Sequence, residues 1–297
     1  MAWRGLHLSK PSRLSFADGQ IVVAQDDGEV RLPIEDIAWI VLDTPQATLT
    51  STLLSACMVA GVVIVSTDET HTPCGVTLPF HRHFRQGEVA RRQIEMGLPL
   101  KKRLWQDIVR RKIENQAAAL DALGRDEARP LREMSRHVGS GDPENVEARA
   151  ARHYWGQMFR DFRRDDDSDR RNKLLNYGYA VVRSGVARAL VATGLLPSLG
   201  LMHASATNAF NLADDLVEPF RPFVDVLAWN TAGEDRSGDD RLTVADRRVM
   251  ASVLLGTAML GGESVTLLLA AERVAESLAR AMEGNAASVL ELPVLVP

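Results

Sequence analysis

The hydrophobic period of this chain changes once, near residue 80, and that change constrains the fold more than any other feature. Before it, short runs of β-branched and alternating residues, RLSFA, QIVVAQ, EVRLPI, AWIVLD, VVIVST and GVTLPF, are separated by turn pairs such as Asp18-Gly19 and Asp27-Gly28. That pattern reads as strands joined by tight turns. One helix is predicted among them, over 48–60, where TLTSTLLSACMVA has helical apolar spacing and stops at Gly61. After His81 the spacing lengthens to a helical period, with Leu104, Ile108, Ile113 and Ala117 marking one helix. Breaks are expected at Gly97 to Pro99, at 139–143, at 163–169, at Pro197 and across 230–240. The predicted class is therefore α+β: a small N-terminal β-rich domain over 1–80, a twisted sheet carrying one helix, then a larger all-α domain over 81–297. The closing LELPVLVP is a proline-interrupted apolar tail that should dock on some part of the fold.

With 297 residues and 45% hydrophobic side chains, the chain can bury a substantial core. Two cysteines, Cys57 and Cys74, are too few for a disulfide scaffold, and MAWRGLHLSK has no signal-peptide pattern, so a cytoplasmic setting is expected. The longest apolar run, LLSACMVAGVVIV from Leu53, falls short of the roughly 20 residues needed to cross a bilayer. No membrane association is expected. The net charge of −4 is unevenly spread. Between His81 and Arg136, fourteen Lys and Arg face eight acids, whereas from Asp214 onward fourteen acids face seven arginines. A charged helical face is most often simply solvated, so this pattern permits a polyanion partner without assigning one.

Three positions carry acid or imidazole where apolar residues would serve packing. In GDPENVEARAARHYWGQMF, Asp142 suits an N-cap and Pro143 a first helical residue. Ala151, Tyr154, Trp155 and Met158 then share a stripe with Glu147, which heads the face entering the core. Glu147 is equally suited to interacting with the helix dipole from the first turn. His203, after Pro197 and Gly200, belongs to a loop or helix start and alone is as consistent with a structural histidine. Asn208, Asn211, Asp215 and Glu218 form one helical stripe with no Lys or Arg among them, poor design for a solvated face and reasonable design for holding a cation. Pro219 biases Glu218 away from helical dihedrals and toward a kink or junction that would turn its carboxylate to His203. Two carboxylates and an imidazole make a hard O/N set suited to Mg²⁺ or Mn²⁺ and to phosphodiester chemistry.

Three blocks, NVEARAARHYW (145–155), LLNYGYAVVRSGVARALVATGLLPSLGLMH (174–203) and FNLADDLVEPFRPFVD (210–225), together resemble the universal integrase subunit of the CRISPR adaptation module. KKRLWQDIVRRKIENQAAAL (101–120) and the short length resemble its type II branch. The resemblance implies that Glu147, of the Glu-Ala/Gly-x-Ala-Ala motif, His203, and Glu218, of the Asp-Leu-x-Glu site, are catalytic and bind Mg²⁺ or Mn²⁺, with Asp215 as a supporting acid. It implies an integrase and endonuclease that joins prespacer 3′-hydroxyls to the repeat array by transesterification on double-stranded DNA. DNA backbone contacts are expected at Arg82, Arg85, Arg110, Arg111, Lys112, Arg163, Arg164, Arg170 and Arg171. It further implies a homodimer, two of which are bridged by a small second CRISPR adaptation protein into a heterohexamer; the strand edges of the N-terminal domain and the apolar tail are the candidate dimerisation surfaces. The rival readings are a general or branched-DNA nuclease without integration, and a non-catalytic DNA-binding scaffold.

Overall fold

Tight turns set the N-terminal architecture. Asp18 and Gly19 both hold positive φ, at 52° and 74°, which lets two residues reverse the chain between β2 (Ser12–Ala17) and β3 (Gln20–Gln25). The computed structural model describes every residue except Met1, His81, Ser237 and Gly238. The junction expected at His81, and two residues of the break expected over 230–240, thus lie outside the described residues. The described chain divides into two compact units, Met1–Arg82 and His83–Pro297.

In the first unit, β1 (Arg4–Leu8), β5 (Ile37–Leu42), β7 (Val63–Thr67) and β8 (Pro73–Thr77) form one sheet in the order β1-β5-β7-β8, parallel except for β8. A second sheet runs β4-β3-β2-β6, with β4 spanning Gly28–Pro33 and β6 spanning Ala47–Leu49. Two sheets replace the single one expected. The one helix, α1 (Ser51–Ala60), starts later than predicted because residues 47–49 pair in parallel with β2. Thr50 caps it through its hydroxyl, which accepts from Leu53 N, and Gly61 ends it at φ 74°, a left-handed conformation that a β-carbon would strain. Leu14, Ile21, Ile40, Leu53, Cys57 and Ile64 form the core shared by both sheets and α1.

The second unit is built from α2 (Gln86–Glu95), α3 (Leu98–Ala122), α4 (Ala128–Arg136), α5 (Val146–Met158), α6 (Arg170–Ala192), α7 (Asn211–Val217), α8 (Arg221–Ala232), α9 (Val244–Ala251) and α10 (Leu267–Glu283). An antiparallel hairpin, β9 (Thr257–Leu260) and β10 (Glu263–Thr266), departs from the all-α expectation; Gly261 and Gly262, both at positive φ, make its turn. The α+β class holds. Leu104, Ile108, Ile113 and Ala117 are fully buried along α3, as their spacing requires. The apolar tail docks on this same helix: the Asn115 amide donates to the carbonyls of Pro293 and Pro219 and accepts from Leu295 N. One buried side chain thereby fixes both the C-terminus and the backbone beside Glu218. No helix among the described residues is long and apolar enough to cross a membrane.

Candidate metal centre

Glu147 is set by an unusual helix entry. α5 starts at Val146, three residues later than Asp142-Pro143 suggested, because Asp142 and Asn145 both take φ 50°. Asp142 still caps the helix from upstream: its carboxylate accepts from Val146 N at 2.9 Å and Glu147 N at 3.0 Å. Tyr154 and Met158 are buried on the predicted stripe, and the half-buried Glu147 sits at its head. Its Oε1 receives the ammonium of Lys112 at 2.5 Å.

Glu218 reaches the same ammonium from the opposite side. It stands at the junction the sequence allowed for, where the 3-10 turn Glu218–Phe220 joins α7 to α8, but against expectation it keeps helical dihedrals, at φ −52° and ψ −46°. Its carboxylate therefore turns to Lys112 and Arg221, with Arg221 Nε 2.8 Å from Oε1, and not to His203. Burial would raise its pKa, but the Lys112 and Arg221 charges overcome that and hold it down at about 2. The same balance acts on Lys112: burial opposes its charge, and Glu218 and Glu147 hold its pKa above the usual lysine value. Lys112, 9% exposed, is thus a buried counter-ion and not the DNA-surface residue that the sequence suggested. The polar stripe also proves to be paired from elsewhere in the chain, since Arg183 binds Asn208 while Lys112 and Arg221 pair with Glu218.

His203 lies in the predicted loop, held by Asp215. That fully buried carboxylate accepts from the backbone N–H groups of Leu201, Met202 and His203 and from His203 Nδ1 at 2.7 Å. Gly200 makes the loop possible, because a β-carbon there would stand 2.2 Å from the His203 carbonyl oxygen and 2.8 Å from Asp215 Oδ2. An acceptor at Nδ1 fixes the proton there and leaves Nε2 as the free nitrogen of the neutral ring. The Asp215 hydrogen bond raises the His203 pKa against the effect of burial, with the charges of Asp215, Glu218 and Asp214 adding to it. Trp105 meets the ring edge-on at 5.7 Å. Glu147 and Glu218 therefore share one cation while His203 stands apart from them. Among the described residues no group of three His, Cys, Asp or Glu is close enough to hold a metal ion.

The donor chemistry of the two carboxylates nevertheless fits a divalent ion. They already share a cation, and the buried Glu218 Oε2 meets the Lys112 ammonium, with the Arg221 charge acting on the same carboxylate. A hard oxygen pair of this kind is what Mg²⁺ or Mn²⁺ takes, with other oxygens completing the shell.

The sequence reading missed a third acid beside this pair. Asp225, in the middle of α8, accepts from Tyr154 Oη at 2.9 Å and from Tyr179 Oη. Burial pushes its pKa up to about 7, against the pull of both phenols and of Arg221. The available signal was an acid set between Val224 and Val226 in an otherwise apolar helical stretch. Lys112, Gln116, Arg164, Tyr179, Glu218, Arg221 and Asp225 line one pocket of about 250 Å³.

The remaining basic positions divide by accessibility. Arg163 is exposed. Arg85 is exposed and forms a two-pronged pair with Glu88; Arg110 and Arg111 are partly exposed beside Asp107 and Glu114. Arg82 closes the N-terminal unit. Arg164 binds Asn172 and Asn176, and Arg170 pairs with Asp246 at 2.7 Å. Arg171 is a correction: at 1% exposure it binds Asp169 and the carbonyls of Arg160 and Glu234, so its donors are spent inside the fold.

A family profile described as "CRISPR associated protein Cas1" matches residues 6–253. The chain belongs to the Cas1 family. A curated relative from Neisseria meningitidis serogroup C, named CRISPR-associated endonuclease Cas1, is 36% identical over 298 residues, covering 100% of this chain and 98% of its own. That full-length match accords with the type II branch. Among solved structures, a casposase bound to integration product superposes on this Cas1-family chain with TM-score 0.75 at 18% identity, covering 96% of this chain and 91% of that one. A chain of a Cas6-RT-Cas1–Cas2 complex superposes with TM-score 0.73 at 18% identity, covering 97% of this chain and 36% of that one. At such identities the two structures establish a shared fold.

Proposed function

We propose that this chain is a divalent-metal-dependent DNA integrase and endonuclease of CRISPR adaptation, which joins prespacer 3′-hydroxyls to the repeat array. The observation that carries the reading is the meeting of Glu147 and Glu218 on one buried cation, from two of the three blocks that resemble the integrase. Glu147 and Glu218 would hold Mg²⁺ or Mn²⁺; His203, which does not group with them among the described residues, would have to come closer to offer Nε2 as a third donor. A bound ion of this class polarises a phosphoryl oxygen and steadies charge on the pentacovalent transition state. In the reaction, the prespacer 3′-oxygen forms a bond to the repeat phosphorus, and the bond from that phosphorus to its own 3′-oxygen breaks. The hydroxyl proton moves to the departing oxygen by way of a base or solvent, and no energy source is consumed. Asp215 would hold His203 in the tautomer that keeps Nε2 available.

With water in place of the hydroxyl, the same groups would cut DNA, in keeping with the name endonuclease carried by the Neisseria relative. Partners proposed for this chain are double-stranded DNA, a second copy of itself through the N-terminal unit, and the small second adaptation protein, which would bridge two such dimers. The Cas1–Cas2 composition of the similar solved complex supports that last partner. A half-site integration assay with the purified chain, the small partner and a repeat-bearing target tests the reading. Joined prespacer ends that need Mg²⁺ or Mn²⁺ are expected; cleaved DNA without joined ends would leave a nuclease only.

A further inference from the structure

Lys112 is not a passive neighbour of the two acids. Its ammonium lies between them, 2.5 Å from Glu147 Oε1 and paired with Glu218 Oε2, and a divalent ion bridging the same oxygens would need the same place. Two cations so close repel strongly in a buried site. An ammonium forced out would also need an acceptor, because burying it unpaired is costly. One turn along α3, Gln116 offers that acceptor: it is 3% exposed, its Oε1 is buried with no hydrogen-bond donor, and it lines the same pocket as Lys112 and Glu218. Residues four apart on a helix are neighbours on its surface, so a lysine stem spans this interval by a change of rotamer.

We propose that Lys112 is a two-position residue, bridging Glu147 and Glu218 until a divalent ion binds and then moving onto Gln116 Oε1. The inference deepens the proposed metal reading and rests on it. In its first position Lys112 holds the buried Glu218 and the half-buried Glu147 carboxylates together on one ammonium, so the site is formed before metal arrives. It also competes with the metal, which makes occupancy weaker and easier to reverse than the acids alone would give. Lys112 is thus a positioning residue, acting through the two acids and not on DNA. By linkage, every group that stabilises the first position weakens metal binding, and every group that stabilises the second strengthens it.

Calorimetric titration of Mn²⁺ into the 297-residue protein tests this without any activity readout. Lys112→Met is expected to bind Mn²⁺ about tenfold tighter than the unsubstituted chain, while Gln116→Leu, which removes the second position, is expected to bind several-fold more weakly. A purely structural lysine would give the opposite sign for the first variant, because its loss would loosen the acids. Mn²⁺ binding by the parent chain with equal or weaker binding by Lys112→Met overturns the exchange and leaves the metal reading standing. Absence of Mn²⁺ binding in all three proteins overturns both. Should Lys112→Met fail to fold, two measurements on folded protein decide: the Gln116→Leu affinity, and acetylation of Lys112 by an amine-reactive reagent with and without Mn²⁺. Labelling that rises with Mn²⁺ supports the exchange, and labelling that Mn²⁺ leaves unchanged, with Gln116→Leu binding as the parent does, overturns it.

Discussion

Glu218 and Asp225 are two acids seven residues apart on one helical stretch, both almost fully buried at 5% and 1% exposure. They end in opposite protonation regimes. Glu218 is held near 2 by Lys112 and Arg221, and Asp225 is pushed to about 7, facing the hydroxyls of Tyr154 and Tyr179. Burial acts on both in the same direction, so it cannot be what separates them. The facing groups decide. An acid surrounded by cations remains an anion that can bind metal, whereas an acid surrounded by phenols becomes a hydrogen-bond hub that ties α5, α6 and α8 together. Under the proposed function the first cluster would serve chemistry and the second positioning.

The sharpest way to break that contrast is at the level of reaction. Glu218→Gln and Glu147→Ala are each expected to lower strand transfer by about a thousandfold or more, roughly 4 kcal/mol of barrier. Asp225→Asn should leave strand transfer within about tenfold, measured in the same half-site assay. Loss as deep in Asp225→Asn as in Glu218→Gln would erase the division.

Stability against pH separates the two acids next. The folded Asp225 keeps its proton up to about 7, while an unfolded aspartate loses it near 4. Stability is therefore expected to fall as pH rises from about 4 to about 7, by no more than about 4 kcal/mol, and Asp225→Asn should remove that slope. Glu218, depressed to about 2, works the other way. Its contribution is complete above the unfolded value near 4.5 and is lost as pH falls toward 2, by about 3 kcal/mol, a slope that Glu218→Gln should flatten. Denaturant titrations across pH measure both.

Smaller effects follow at the phenols. Tyr179→Phe or Tyr154→Phe removes one hydrogen bond to Asp225 and should cost about 1–2 kcal/mol of stability without touching metal affinity. Smallest of all, Arg163→Glu, at a surface position outside both clusters, should weaken DNA binding several-fold and reduce the salt slope by about one, with the joining step unchanged. An unaltered slope would remove Arg163 from the DNA surface.

What was legible in the sequence was mostly local. The hairpin at Asp18-Gly19, the stop at Gly61 and the buried stripe of α3 follow from backbone preference and period, which neighbouring residues determine. Strands β1 and β6 escaped because they are short and owe their pairing to parallel neighbours distant in the chain. The start of α5 was misplaced because two residues, Asp142 and Asn145, adopt left-handed backbone that their sequence merely tolerates. At the site, Glu147 and Glu218 were found from their stripes and blocks, but their shared partner was not. Lys112 lies 35 residues from Glu147 in sequence, and a stripe judged to lack cations was supplied with them from other helices. The same blindness to long-range pairing put Arg171 on the surface, although its partners Asp169, Arg160 and Glu234 enclose it.

The central claim is that Glu147 and Glu218 together form a cation seat that a divalent metal takes over. Anomalous diffraction from crystals of the protein grown with Mn²⁺ tests it most directly. The account predicts one strong peak between those two carboxylates, with the Lys112 ammonium displaced from it. A peak elsewhere, or carboxylates still bridged by Lys112 at saturating Mn²⁺, would contradict it.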